Sequence, residues 1–395
     1  MKLGQVFDPR NNALNAWRLA LAGEVIFWHT FPIRGHLPNV RAVLQLLLCG
    51  GVDGFFAISG FLITASWLGN PRLREYLAAR ALRILPGFYV CLLVTAFVFA
   101  PLSVAIQGGS PGKLVASGAP LEFVLINSAV ALIKFDVGGT PTGIPSAGVW
   151  NASLWSLIWE VMCYLIVAVI GVVGLANRRW VSPVFLLLAT AGAMTLPGLK
   201  FPDVMTQHEG DVRTALFFLA CRTAIMFAAG ALLYQWREVI PARWSLVAVS
   251  VVIVLASGFL PDYRVVGALP LAYAVVVSGA LIRNKHLRLR TDLSYGMYIY
   301  AYPTQQLLLV CGLVTLNPLL LTGVTAAATL PLATASWFLI EKPARRLKSR
   351  FRKKPSLAPQ DQDQNQDQDQ DQTVMVLPTQ EISGPTLPPE LPGTA

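Results

Sequence analysis

Apolar residues fall along this chain in long runs, separated by short polar and basic breaks. The runs occupy positions 13–33, 43–68, 84–106, 150–176, 182–199, 214–234, 243–260, 265–283, 293–316 and 318–341. A helix that crosses a bilayer needs about 20 mostly apolar residues. The pattern therefore predicts an all-α fold: a polytopic membrane helical bundle of about ten transmembrane helices. An eleventh stretch, 121–135, is shorter and ends in Lys134 and Asp136. It reads as an interfacial or re-entrant helix rather than a span. The first run carries Arg18, Glu24 and His29 and no small-residue cleavage site, so it is expected to remain as the first span.

Composition agrees with the pattern. Hydrophobic residues make up 54% of the 395 positions and charged residues 13%, where a soluble domain carries about 25% charged. Mean hydropathy is +0.56. One soluble core could not hide this much apolar surface, and disorder along the whole chain requires the opposite composition. The five cysteines, Cys49, Cys91, Cys163, Cys221 and Cys311, sit inside apolar runs without CxxC spacing. They read as packing residues rather than as disulfide or metal sites. His36, His208 and His286 lie in separate loops, and no HExxH, P-loop or GxSxG appears, so no metal site is expected.

The net charge of +10 arises from 31 Lys and Arg against 21 Asp and Glu. In a soluble protein it would suggest nucleic acid; between apolar runs it orients the chain in the bilayer. With ten spans and the N-terminus inside, 22 of the basic residues fall on the inner side. Seven, Arg264 among them, fall on the outer side, and Arg18 and Arg222 lie within spans. This bias predicts cytoplasmic N- and C-termini in the inner (plasma) membrane, with lipid and not nucleic acid as the partner. Residues 1–350 form the expected transmembrane domain. Residues 351–395, with an Asp/Gln alternation from Gln360 to Gln372 and Pro-rich sequence after it, form an expected disordered tail.

An ionisable group inside the membrane is costly and marks a functional candidate. Arg18 and His29 are 11 residues apart, which on a helix places them on one face, separated by roughly 16 Å. Asp53, in the Gly-rich second run, is positioned to orient His29 or to pair with an arginine. Arg80 and Arg83 are i, i+3 neighbours whose guanidiniums suit a phosphate or pyrophosphate, against the simpler reading of basic flanking. Glu160 lies among Trp155 and Trp159, which read as an interfacial belt, and Arg222 is a candidate partner for it. Tyr295, Tyr298 and Tyr302 either line a cavity or anchor at an interface. Glu341 closes the last run beside the basic stretch 342–354.

These motifs, in this order, resemble the acyltransferase-3 family of integral membrane acyltransferases over roughly residues 13–350. The resemblance rests on five features. Arg18 and His29 have the family's basic-x10-His spacing. Gly51-Val-Asp-Gly-Phe-Phe-Ala-Ile-Ser-Gly-Phe-Leu-Ile follows in the second run. Arg80-x-x-Arg83 precedes Ile-Leu-Pro, and Ser153-Leu-Trp-Ser-Leu precedes Glu160. Ser294-Tyr-Gly-Met-Tyr and Glu341-Lys-Pro close the set. The chain departs from the family at Leu14-Asn-Ala-Trp-Arg-Leu-Ala, where many members have an LDGLRG-like run. It departs again at Tyr302-Pro303, where many have His-Pro, so no role for a second histidine carries over. The resemblance implies a stand-alone O-acyltransferase that moves an acyl group, most often acetyl, from cytoplasmic acyl-CoA to a hydroxyl of a surface or exported glycan. It implies catalytic roles for His29, as general base or acyl carrier, and for Glu160. Arg18, Arg80 and Arg83 are the implied acyl-CoA contacts, and Asp53, Arg222, Tyr295 and Tyr302 are candidates along the substrate pathway. The rival reading of the same charges is a transporter or flippase of a lipid-linked sugar.

Overall fold

The computed structural model describes residues 1–37, 40–195, 212–289 and 291–347. The expected disordered tail lies outside the described residues. Each of the ten apolar runs overlaps one helix of 14 to 29 residues: α1 (Leu14–His29), α2 (Arg41–Gly69), α3 (Leu73–Val94), α4 (Trp155–Val172), α5 (Val181–Met194), α6 (Val212–Gln235), α7 (Trp244–Ser257), α8 (Arg264–Leu281), α9 (Ser294–Val310) and α10 (Pro318–Ser336). Helix α3 continues through a π turn, Thr95–Phe99, to Ile106. Helix α10 continues through another, Trp337–Glu341, to Arg346. Within the 121–135 stretch the helix is Ala119–Asn127, nine residues, far short of the length that crosses a bilayer.

Among the described residues, six stretches are long and apolar enough to cross a membrane: Ala42–Gly69, Leu73–Ile106, Ala152–Val172, Arg213–Gln235, Arg264–Leu281 and Pro318–Arg346. Helices α5 and α7 are apolar but have only 14 residues each. Helices α1 and α9 meet neither description, because they carry the polar side chains. Other helices shield them: 14 of the 17 residues of α9 are buried, including Thr304, Gln305 and Gln306. A buried amide must find partners away from water. Gln305 Nε2 donates to the Ile26 carbonyl at 3.0 Å, and Gln306 Nε2 donates to the Ser146 carbonyl at 2.8 Å. The first of these bonds, with the Arg18–Asp292 ion pair described below, sets α1 and α9 side by side and running in the same direction.

Helices α2 and α6 cross closely because glycine stands at both contact points. A Cβ on Gly60 would lie 1.9 Å from the Phe227 carbonyl oxygen, and one on Gly230 would lie 1.9 Å from the Ala57 carbonyl oxygen. Small residues at such crossings let backbones approach and gain dispersion contacts that lipid cannot supply. The obstacle is backbone on both sides, so it cannot rotate away. Gly230→Ala is therefore expected to cost about 1–3 kcal/mol through overpacking, read as a lowered midpoint of thermal unfolding in detergent. An unchanged midpoint would show that the helices can separate freely.

Candidate active site

One carboxylate organises the end of the bundle where α1 and α9 begin. Asp292 lies just before α9 and is buried. Its Oδ2 faces Arg83 Nη1 of α3 at 3.2 Å, Arg18 Nη1 of α1 at 3.5 Å and Arg345 Nη2, beyond α10, at 3.5 Å. Ser294 Oγ donates to Oδ1 at 2.6 Å. Burial alone would raise the Asp292 carboxyl, but the three guanidiniums and the serine hydroxyl outweigh it and hold it well below the usual carboxylate range. Its stabilisation of the fold is therefore present at neutral pH and is lost only as pH falls through that lowered value. Glu341, in the second π turn, accepts from Ser336 Oγ at 3.1 Å and faces Arg345 at 3.8 Å. Three guanidiniums against these two carboxylates leave a surplus of one positive charge.

Beside this cluster lies a cavity of about 50 Å³ whose walls include Arg18, Arg83, Glu160, Ser59, Tyr295 and Tyr298. Its size admits a few waters. Glu160 accepts hydrogen bonds from the Tyr164 hydroxyl and from Ser59 Oγ, and it lies within electrostatic reach of Arg18, Arg80 and Arg83. Arg80 sits between two aromatic rings, 5.9 Å from the Tyr76 centroid and 5.8 Å from that of Tyr164. The cavity thus brings Arg18, Arg83 and Glu160 together, with Arg80 behind Glu160.

His29 stands apart, at the far end of α1. Its Nδ1 lies 2.7 Å from the Val25 carbonyl oxygen. A carbonyl can only accept, so in the neutral ring Nδ1 carries the proton and Nε2 keeps its lone pair. The Tyr302 ring meets the imidazole edge-on, 5.1 Å between centroids. Arg18 and His29 therefore both border α9, one at Asp292 and the other at Tyr302, as their spacing on one helical face requires.

Several expectations are corrected. Asp53 does not orient His29. It is fully buried in a separate cluster, where it accepts from Arg264 Nε at 2.7 Å and from the Tyr263 hydroxyl, and it faces Arg222 Nε at 3.7 Å. Arg222 thus faces Asp53. Arg264, counted from sequence as an outer-side flanking charge, is only 3% exposed. The Trp155 ring lies 5.7 Å from the Arg222 guanidinium. Tyr295 and Tyr298 are not interfacial anchors: their hydroxyls donate to the Ile84 carbonyl at 2.8 Å and the Ser153 carbonyl at 2.7 Å inside the bundle. Arg83 has Asp292 on one side of its guanidinium, at 3.2 Å.

Sequence reasoning passed over Asp292, Arg345, Tyr263 and the pairing role of Arg264. A signal existed for Asp292, which is the lone acid after four cations, Arg283, Lys285, Arg288 and Arg290. Nothing local marked Tyr263.

With this geometry in place, comparison with known proteins is specific. The profile of the acyltransferase domain family matches residues 11–338. The chain belongs to this family and is a membrane enzyme, an O-acetyltransferase. It is 26% identical over 356 residues to an O-acetyl transferase of Shigella phage Sf6, covering 88% of this chain and 99% of that one. It is 27% identical to Nodulation protein 10 of Rhizobium leguminosarum bv. viciae, covering 86% and 94%. It is also 25% identical to the peptidoglycan O-acetyltransferase OatA of Listeria monocytogenes, covering 75% of this chain but 51% of that longer protein. No solved structure matches it.

Removing the Asp292 carboxylate leaves one buried and two half-buried guanidiniums facing one another. Asp292→Ala is expected to cost about 3–5 kcal/mol, as breaking one side of a buried ion cluster does. Thermal unfolding and membrane yield should both fall sharply, with Asp292→Glu falling less. A variant as stable as the parent would show that the cluster does not hold the bundle.

Proposed function

We propose that this enzyme transfers an acetyl group from cytoplasmic acyl-CoA to a hydroxyl of a surface or exported glycan, with His29 as the general base. The observation that carries the reading is the His29–Val25 hydrogen bond, which leaves the Nε2 lone pair free to take a proton. As the acceptor oxygen attacks the thioester carbonyl, its proton passes to Nε2. The C–S bond then breaks, and the CoA sulfur leaves as a thiolate that is protonated in turn. Arg18 and Arg83, with their surplus of positive charge, face the donor, and Arg80 supports them. Glu160 serves as a positioning residue: its carboxylate is held by Tyr164 and Ser59 and steadies the surrounding guanidiniums. Asp53, Arg222, Tyr295 and Tyr302 shape the bundle around the route and do not react.

In this reading the Arg18 end of α1 faces the cytoplasm, with both termini on that side of the inner membrane, and all ten long helices span it. The glycan acceptor rests on the family and on the likeness to the peptidoglycan O-acetyltransferase of Listeria.

His29→Ala and His29→Gln are expected to lower acetyl transfer by about 10²–10⁴-fold while leaving the thermal midpoint nearly unchanged. The readout is mass spectrometry of glycans from a strain relying on the variant, which should lose mass units of one acetyl group. Full acetylation by His29→Ala would remove His29 from the mechanism. A sugar carrier, by contrast, would show no effect of acetyl-CoA on the purified protein.

A further inference from the structure

A cleft of about 600 Å³ opens where the loop before α1 meets the loop before α9. Its walls include Arg10, Asn12, Asn15, Lys285, Arg288 and Leu289. This volume lies within the range of about 300–1,000 Å³ found for small-molecule and cofactor sites. Three cations from two chain segments converge here, and no acidic side chain lines the cleft. Among the described residues none of the three forms an ion pair, and the buried Arg288 Nε has no hydrogen-bond partner. Basic flanking alone requires only exposure to water. It explains neither the convergence nor a buried, unsatisfied guanidinium nitrogen.

The walls are built in place. Arg10 N–H donates to Asp8 Oδ1 at 2.8 Å, Asn12 Nδ2 donates to the Asp8 carbonyl at 2.8 Å, and Leu14 N–H donates to Asn12 Oδ1 at 3.1 Å. Asn15 Nδ2 donates to the Leu289 carbonyl at 2.9 Å, which ties one wall to the other. The cleft also adjoins the cavity of the candidate active site along three elements at once. On α1, Asn15 lines the cleft and Arg18 the cavity, one turn apart. On α2, Leu62 lines the cleft and Ser59 the cavity, again one turn apart. Leu289 lies three residues before Asp292 and five before the cavity residue Ser294.

We propose that this cleft binds the phosphorylated adenosine end of the acyl-CoA donor, with Arg10, Lys285 and Arg288 holding its phosphates and the thioester arm directed past Arg18. The inference rests on the acyl-CoA reading above and extends it to residues outside the bundle core. The surplus charge at Arg18 and Arg83 is small because Asp292 and Glu341 offset most of it, whereas the three cleft cations are not offset. A multiply charged phosphate group is therefore attracted more strongly to the cleft. The asparagines add neutral donors and acceptors suited to a nucleoside.

The test uses the full chain in nanodiscs, with binding read by thermal stabilisation and calorimetry. Adenosine 3′,5′-bisphosphate and CoA should each stabilise the parent protein, less so as ionic strength rises. The triple variant Arg10→Gln, Lys285→Gln, Arg288→Gln should keep the ligand-free midpoint of the parent and bind both ligands at least about tenfold more weakly, a loss of about 1.4 kcal/mol. Equal CoA binding by parent and variant would overturn the cleft assignment while leaving the acyl-CoA reading standing. Absence of any CoA effect on the parent would overturn both. A third arm compares nanodiscs with and without anionic phosphatidylglycerol. Stabilisation by that lipid through the three cations, with none by the bisphosphate, would make the cleft a headgroup site and overturn the proposal.

Discussion

Asp292 Oδ2 faces three guanidiniums delivered by three separate helical elements, and the arrangement of the bundle's polar centre follows from that constraint. In a medium of low dielectric three like charges repel strongly, and among the described residues the Asp292 carboxylate is the one anion in direct contact with all of them. Moving any one of these helices away would leave a charge buried without its counterion. The cluster therefore holds α1 against the start of α9, brings in α3 through Arg83, and secures the extension of α10 through Arg345. The π turn before Arg345 is part of the same solution, since a widened turn places Glu341 and Arg345 together against Asp292.

A second ionic centre, sharing no residue with the first, joins α2, α6 and α8 through Asp53, Arg222 and Arg264. Helices α1 and α2 link the two groups by close contact. A Cβ on Gly51 would fall 1.9 Å from Glu24 Oε2, so only glycine leaves room for that carboxylate. The apolar helices outside then have a simple task. They cover polar centres that could not face hydrocarbon, which is why α1 and α9, with their polar side chains, are enclosed by the rest.

This division governs how much could be read from the sequence. The ten apolar runs correspond to ten long helices because hydropathy is a local property. The shared face of Arg18 and His29 was legible for the same reason: it follows from helical periodicity on one element. Pairing was not legible. Asp53 had three arginines and a histidine as conceivable partners, and only the crossing of α2 with α6 and α8 selects Arg222 and Arg264 over His29. Arg264 looked like a flanking charge because it starts its helix, and its burial depends on where α2 presents Asp53. Asp292 was passed over, since its meaning comes from three residues located 274, 209 and 53 positions away.

The separation of Arg18 from His29, roughly 16 Å along one helix, has a chemical use under the proposed mechanism. A phosphate-bearing donor needs cations and water, whereas deprotonating a hydroxyl at a thioester requires a neutral imidazole and little water. Placing both demands in one spot would set guanidiniums beside the imidazole and disfavour its taking up a proton. Placing them at opposite ends of α1 keeps His29 next to the Val25 carbonyl and the Tyr302 ring, away from the charge cluster. The cavity beside Arg18, at about 50 Å³, is far smaller than a cofactor site, so under that mechanism a donor arm would fill it completely. Under the proposed mechanism the closeness of α1 and α9 that the Asp292 cluster enforces would also exclude water from His29 and so suppress hydrolysis of a thioester.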